Sequence, residues 1–298
     1  MSTLSAPIPL RREAAPSAPL LALDTLWIQV AGTLCNLSCG HCFLSCTPTN
    51  RNHEMMSRAD VQRYLTEAET LGVNDFYFTG GEPFLHRELP EILEDALRIG
   101  PATVLTNGTL ITAARARALA GLAAGSPYSL EVRVSLDGLS PETNDPIRGR
   151  GSFEEAMRGI RELGRAGLNP ILTAAQTWSE GEDAALREAF HRFLRQEGLT
   201  RPRVKILPLF RLGAEAERTR GYAERERLTE AHLRDFDPLK LQCTTSRMVT
   251  SRGVFVCPIL IDAPDARLGR TLRESMRPFR LAHGACHTCW ATGATCRN

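Results

Sequence analysis

The densest chemistry in this chain is a set of three thiols within eight positions. Cys35, Cys39 and Cys42 stand in Thr33-Leu-Cys-Asn-Leu-Ser-Cys-Gly-His-Cys, a C-x3-C-x2-C array. Thiolates so spaced can wrap one face of an iron–sulfur cube, but full thiolate ligation takes four cysteines. One iron is then left open, a Lewis acid that a small chelating molecule can occupy. A structural zinc site is the competing reading; it needs four closed ligands, which His41 or Cys46 could complete. Further on comes Phe78-Thr-Gly-Gly-Glu-Pro-Phe. There Gly80 and Gly81 permit close backbone approach, the Glu82 carboxylate can hold an ammonium group, and Pro83 closes the motif. A third group lies near the C-terminus: Cys243, Cys257, Cys286, Cys289 and Cys296 are five of the nine cysteines. They read as a second, metal-dependent module.

These residues need a scaffold, and the pattern supplies one. The chain has 298 residues, 43% hydrophobic and 23% charged, long enough to bury a core without covalent staples. A net charge of +2 is too near balance to imply a nucleic acid or an anionic membrane as partner. The early apolar stretch 19–32 is broken by Asp24 and Gln29 and falls short of the roughly 20 residues needed to span a bilayer. No secretory signal is legible, so the expected location is cytoplasmic, where clustered thiols stay reduced. Residues 1–22, rich in Ala, Pro and Ser, read as a flexible tail.

From residue 23 strands and helices alternate. Short β-type runs fall near 27–31, 75–79, 102–106, 130–136, 169–175 and 203–208. Helical patterns lie between them at 57–71, 87–99, 112–122, 153–166 and 182–196. Ser57 with Asp60 and Ser152 with Glu155 have the spacing of helix N-caps. At roughly 30 residues per βαβ unit, the stretch to 208 holds about six units, whereas a closed eightfold barrel takes ~250 residues. The expected fold is α/β, a partial barrel or an open sheet over 23–212, then a small domain over 213–298. That domain opens with a charged helical stretch at 214–236. Gly80–Pro83 then sit at the carboxyl edge of the second strand, where open α/β sheets bind ligands.

The cysteine array followed by Gly-Gly-Glu-Pro resembles the radical S-adenosylmethionine (SAM) superfamily, over about residues 26–210. The resemblance implies a (β/α)6 partial TIM barrel in which Cys35, Cys39 and Cys42 bind a [4Fe–4S] cluster whose open iron chelates SAM. One electron then cleaves SAM to a 5′-deoxyadenosyl radical that abstracts hydrogen from substrate. A flavodoxin or ferredoxin would supply the electron. The resemblance also suggests SAM contacts at Ser135 and Asp137, in Val134-Ser-Leu-Asp-Gly, and at Arg148, paired with the SAM carboxylate. Thr106 and Asn107 end the third strand as ligand contacts or as a plain Asn-Gly turn. His41 departs from the family, which commonly has an aromatic residue there near the adenine.

The second cysteine group resembles the auxiliary-cluster extension called SPASM or, shortened, twitch. It brackets an expected hairpin turning at Arg252-Gly253, and its cysteines suffice for one auxiliary [4Fe–4S] cluster. Two ligand sets remain open. Cys243, Cys257, Cys286 and Cys289 would spare Cys296; alternatively Cys286, Cys289 and Cys296 would take one hairpin cysteine and free the other. A freed thiol, Cys257 for instance, could return a hydrogen atom to a substrate radical. Cys46 is expected only to pack. Two substrate classes follow. One is a carbinol carbon of a sugar or aminocyclitol-like small molecule, epimerised or oxidised to a ketone; the other is a ribosomally made peptide. Only about 25 residues precede the first strand, too few for a peptide-docking domain, so the small molecule is the expected substrate.

Overall fold

The computed structural model describes residues 15–293; Cys296 and most of the expected tail lie outside them. Within the described part of that tail, β1 (Ser17–Ala18) forms an antiparallel pair with residues 279–280, and Ala18 is buried.

Six strands follow in the order the hydrophobic runs predict: β2 (Thr25–Gln29), β3 (Asp75–Thr79), β4 (Ala102–Thr106), β5 (Leu130–Ser135), β6 (Ile171–Ala175) and β7 (Arg203–Leu207). Each pairs parallel with the next, as right-handed helical crossovers require. The crossovers carry α1 (Arg58–Thr70), α2 (Leu89–Ala96), α3 (Ala113–Ala124), α4 (Pro141–Arg148) with α5 (Ser152–Arg165), and α6 (Asp183–Gln196). Alternation along each strand separates two cores. Leu26 and Ile28 of β2 turn outward onto Val61, Tyr64 and Leu65 of α1. Trp27 turns inward and stacks on Tyr77 of β3, ring centroids 4.4 Å apart, in a core shared with Phe210, Met248 and Phe255.

Helix starts differ in one instance. Ser57 caps α1 as expected, accepting the Asp60 amide at 3.1 Å. At α5 the N-cap is Gly151, in the left-handed region, and Ser152 is already helical. The free amides there are met by Asp145 of α4, which accepts Gly151 N at 2.6 Å and Phe153 N at 2.9 Å. Helix α4 carries an internal proline, Pro146, and so lacks the pattern that marks the others.

The charged stretch 214–236 is not one helix. It yields only α7 (Gly213–Arg218) and α8 (Glu230–Leu233). Its sequence is polar nearly all round, so a long helix would have no face to bury. Beyond it, β8 (Ser246–Thr250) and β9 (Gly253–Phe255) form the expected hairpin, followed by β10 (Arg267–Gly269), β11 (Phe279–Arg280) and α9 (Gly284–Thr292). The hairpin does not build a sheet of its own. β8 pairs parallel with β2, Thr25 opposite Ser246 and Ile28 opposite Val249, giving one nine-stranded sheet ordered β10-β9-β8-β2-β3-β4-β5-β6-β7. Among the described residues no helix is long and apolar enough to cross a membrane.

Candidate active site and metal centre

The cysteine loop leaves the carboxyl end of β2 and is held by the end of β3. Cys35 N donates to Thr47 O at 3.0 Å, Gly81 N to Gly32 O at 2.8 Å, and Glu82 N to Leu34 O at 2.9 Å. A Cβ at Gly81 would lie 2.1 Å from Leu34 O, and one at Gly80, whose φ is +150°, would lie 2.9 Å from Ala31. The two glycines therefore let the β3 loop close onto the cysteine loop.

The loops and strand ends enclose a cavity of about 240 Å³. Cys35, Cys39, His41, Cys42, Gly80 and Gly81 line it on one side, with Thr106, Asn107, Ser135 and Arg148 from the following strand ends. Sequence reasoning thus finds ten of its lining residues. Burial pushes the Cys35 thiol up to about 12 and the Cys39 thiol up to about 11. Cys42 is brought down to about 6, first by the Cys46 thiol that donates to its sulfur. Cys46 N–H lies 3.3 Å from the same sulfur, and Cys46 itself lines the cavity. It does more than pack.

Three expected contacts lie elsewhere. Glu82 is fully buried and does not line the cavity. Its carboxylate accepts Thr106 Oγ1 at 2.7 Å, Asn107 N at 2.8 Å and Phe84 N at 3.0 Å. Rather than offering itself to an ammonium group, it ties the end of β3 to the end of β4. Burial raises its pKa against those hydrogen bonds. Pro83 is buried at the start of the turn that follows. Asp137 lies behind the wall, its carboxylate 2.8 Å from His41 Nε2 and 2.6 Å from Arg148 Nε, and accepting Ala175 N at 2.7 Å. Burial would raise the Asp137 pKa, but the Arg148 charge and the His41 contact outweigh it and hold it well below the usual carboxylate range. Asp137 thus orients two lining residues and joins the ends of β5 and β6 to the cysteine loop. Helix α4 supports that loop too, through Gly40 N to Ile147 O at 2.8 Å.

The rest of the wall is mostly apolar, with the Thr79 and Thr173 side chains as its further hydroxyls, and was not foreseen. Trp27, Leu105, Leu207, Phe210, Met248 and Ile259 line it. Alternation along β2, β4 and β7 would have indicated three of them; Met248 and Ile259 enter only because β8 pairs with β2.

A second cavity is lined by Cys243, Cys257, Cys286 and Cys289 together, among Leu241, Val256, Phe279 and Leu281. Cys257 therefore keeps company with three other thiols and does not line the first cavity. That removes the ground for treating it as a free hydrogen-atom donor. Burial pushes Cys243 up to about 11 and Cys286 up to about 12, and raises Cys257. Among the described residues no three His, Cys, Asp or Glu side chains gather tightly enough to chelate a single ion. The thiols stand around cavities instead, as donors to a multi-iron cluster must. Soft thiolates suit iron–sulfur clusters, and in each cavity the donor chemistry fits one: Cys35, Cys39 and Cys42, with Cys46 and open space beside them, in the first, and four thiols in an apolar enclosure in the second. A larger cavity of about 800 Å³, lined by Arg63, Arg252, Arg267 and Arg270, has no thiol.

The family model described as Radical SAM superfamily matches residues 30–180, just over half of the chain. The chain belongs to the radical SAM superfamily, which uses a [4Fe–4S] cluster and SAM. Among curated relatives, the Fe-coproporphyrin III synthase of Methanosarcina barkeri is 35% identical over 45% of this chain and 32% of its own length. The mycofactocin maturase MftC of Mycolicibacterium smegmatis is 32% identical over 54% of this chain and 41% of its own. The GTP 3′,8-cyclase of Petrotoga mobilis is 32% identical over 50% and 46%. The chain thus spans a third to a half of the length of these relatives. Among solved structures, SuiB of Streptococcus suis bound to its precursor peptide SuiA superimposes with a TM-score of 0.61 at 18% identity, covering 85% of this chain and 62% of that one. The protein anSMEcpe with bound AdoMet gives 0.60 at 18% identity, over 84% and 79%. At such identities the likeness is one of fold, and these neighbours are of the SPASM/twitch type, which carries auxiliary clusters.

Proposed function

We propose that this chain is a peptide-modifying radical SAM enzyme. In this reading Cys35, Cys39 and Cys42 hold the [4Fe–4S] cluster that binds SAM, and Cys243, Cys257, Cys286 and Cys289 hold one auxiliary [4Fe–4S] cluster. The cofactors supply the radical; the chain must hold SAM, aim a substrate C–H at it and keep water out. Thr106, Asn107, Ser135 and Arg148 are the polar groups at hand for SAM, with His41 oriented by Asp137. An external donor such as a flavodoxin or ferredoxin would supply electrons.

The observation that carries the peptide reading is the apolar wall facing these groups: Trp27, Leu105, Leu207, Phe210, Met248 and Ile259. Such a surface suits an apolar amino-acid side chain. A sugar or aminocyclitol would need several hydrogen-bond partners; beyond the groups assigned to SAM the wall adds mainly the Thr79 and Thr173 hydroxyls, and the carboxylates of Glu82 and Asp137 are already committed within the protein. The names of MftC as a maturase and of SuiB with a precursor peptide agree with this choice.

The test has two parts. Anaerobic reconstitution should give about eight irons per chain, one cube for each cysteine set. Replacing Cys35, Cys39 and Cys42 by Ala should reduce this by half and bring 5′-deoxyadenosine formation from SAM down to background. Substrate panels, read by 5′-deoxyadenosine release and by deuterium transfer, should then respond to peptides with apolar side chains. A response to aminocyclitols but not to peptides would overturn the peptide reading.

A further inference from the structure

Arg247, on β8, is among the largest side chains buried in the protein, with 0% exposure. A guanidinium taken out of water ordinarily needs a carboxylate partner, because an uncompensated buried charge is strongly unfavourable. Here the partners are backbone carbonyls. Nε donates to Ser275 O at 3.0 Å, Nη1 to Cys243 O at 2.7 Å and Ser246 O at 2.8 Å, and Nη2 to Arg277 O at 2.9 Å. Those bonds satisfy four of its five N–H groups and leave its charge unneutralised. Among the described residues, no carboxylate forms an ion pair with it; the charged groups that act on it are the sulfurs of Cys243 and Cys257, which favour its charge, and the like-charged Arg277, which opposes it. Both line the second cavity, whose other walls are mostly apolar.

We propose that Arg247 is the built-in counter-charge of the second cysteine cavity: it braces the Cys243 backbone and makes a thiolate-ligated cluster there easier to reduce. The inference rests on the reading that Cys243, Cys257, Cys286 and Cys289 hold an iron–sulfur cluster. Four thiolates give such a cluster net negative charge, and net charge and hydrogen bonding are what a protein uses to set cluster potentials. An electron added beside a fixed cation costs less than one added in an apolar enclosure. Arg247 acts as a positioning and tuning residue, with no part in the bond chemistry.

The experiment uses the chain with Cys35, Cys39 and Cys42 replaced by Ala, so that only the second cavity holds iron. Iron analysis comes first. If this protein retains no iron, the cluster reading itself fails, and the inference with it. If it retains a cluster, its midpoint potential is measured by EPR-monitored redox titration for Arg247, Arg247→Lys and Arg247→Gln. Arg247→Gln should make reduction at least tenfold less favourable, a fall of about 59 mV for a one-electron couple, and Arg247→Lys should stay near the parent. A Gln variant that assembles the cluster at an unchanged potential overturns the inference. Should the Gln variant fail to assemble, a Lys variant that assembles at the parent potential supports the role of charge. Failure of both overturns it in favour of the guanidinium's hydrogen-bonding shape alone.

Discussion

Two carboxylates decide how the first cavity is organised, and they do so from behind its wall. Glu82 spends both oxygens on the ends of β3 and β4, while Asp137 gathers His41, Arg148 and the Ala175 amide. Breaking a buried charge pair by removing one partner costs about 3–5 kcal/mol, so Asp137→Asn should destabilise the protein by that order in urea unfolding. The pH dependence has a definite sign. A carboxyl held below its unfolded value near 3.9 contributes fully above that pH, begins to lose its contribution there, and loses the rest as pH falls on through its lower folded-state value. The stability difference between the parent and Asp137→Asn should therefore shrink on going from about pH 6 to about pH 3. A difference that stays constant over that range would show that the charge on Asp137 is not what stabilises this wall.

At the scale of elements, the junction of α4 and α5 does what a conventional capping residue would otherwise do. Asp145 reaches across from one helix to satisfy the first amides of the next, and the same α4 presents Arg148 to the cavity and the Ile147 carbonyl to the cysteine loop. Removing a helix cap typically costs about 0.5–2 kcal/mol. Asp145→Ala should cost that much in chemical denaturation, whereas Asp145→Asn, which keeps an acceptor, should cost less. Equal losses would mean that the charge at the α5 N-terminus matters more than the hydrogen bonds.

For the whole molecule, the joining of β8 to β2 is decisive. It makes the C-terminal hairpin part of the barrel sheet, so that Met248 lies opposite Trp27 and the first cavity gains a wall. Without it, the edge of β2 and the inward core of Trp27, Tyr77 and Phe210 would be open to water. A chain ending at residue 212 should therefore lose its sharp thermal transition by circular dichroism, and the intact chain should unfold as one unit. A truncated barrel that melts cooperatively near the parent temperature would show that the two parts are energetically separate.

Local chemistry was readable before any fold was known. The close cysteine spacing at 35–42 marks one cluster, and hydrophobic runs mark the strands because buried parallel strands are rich in apolar residues, less so at β5 and β7, where charged residues interrupt the run. Residues 15–22, α4 and the stretch 214–236 escaped that logic: the first has no periodicity, the second contains a proline, and the third is charged on every side. Which groups face one another was settled by packing alone. That Glu82 turns away from the cavity, that Cys257 joins three other thiols, that Arg247 is buried beside them and that Met248 and Ile259 meet the cavity all depend on contacts between segments far apart in sequence. Alternation states which way a side chain points; it is blind to what waits on the other side.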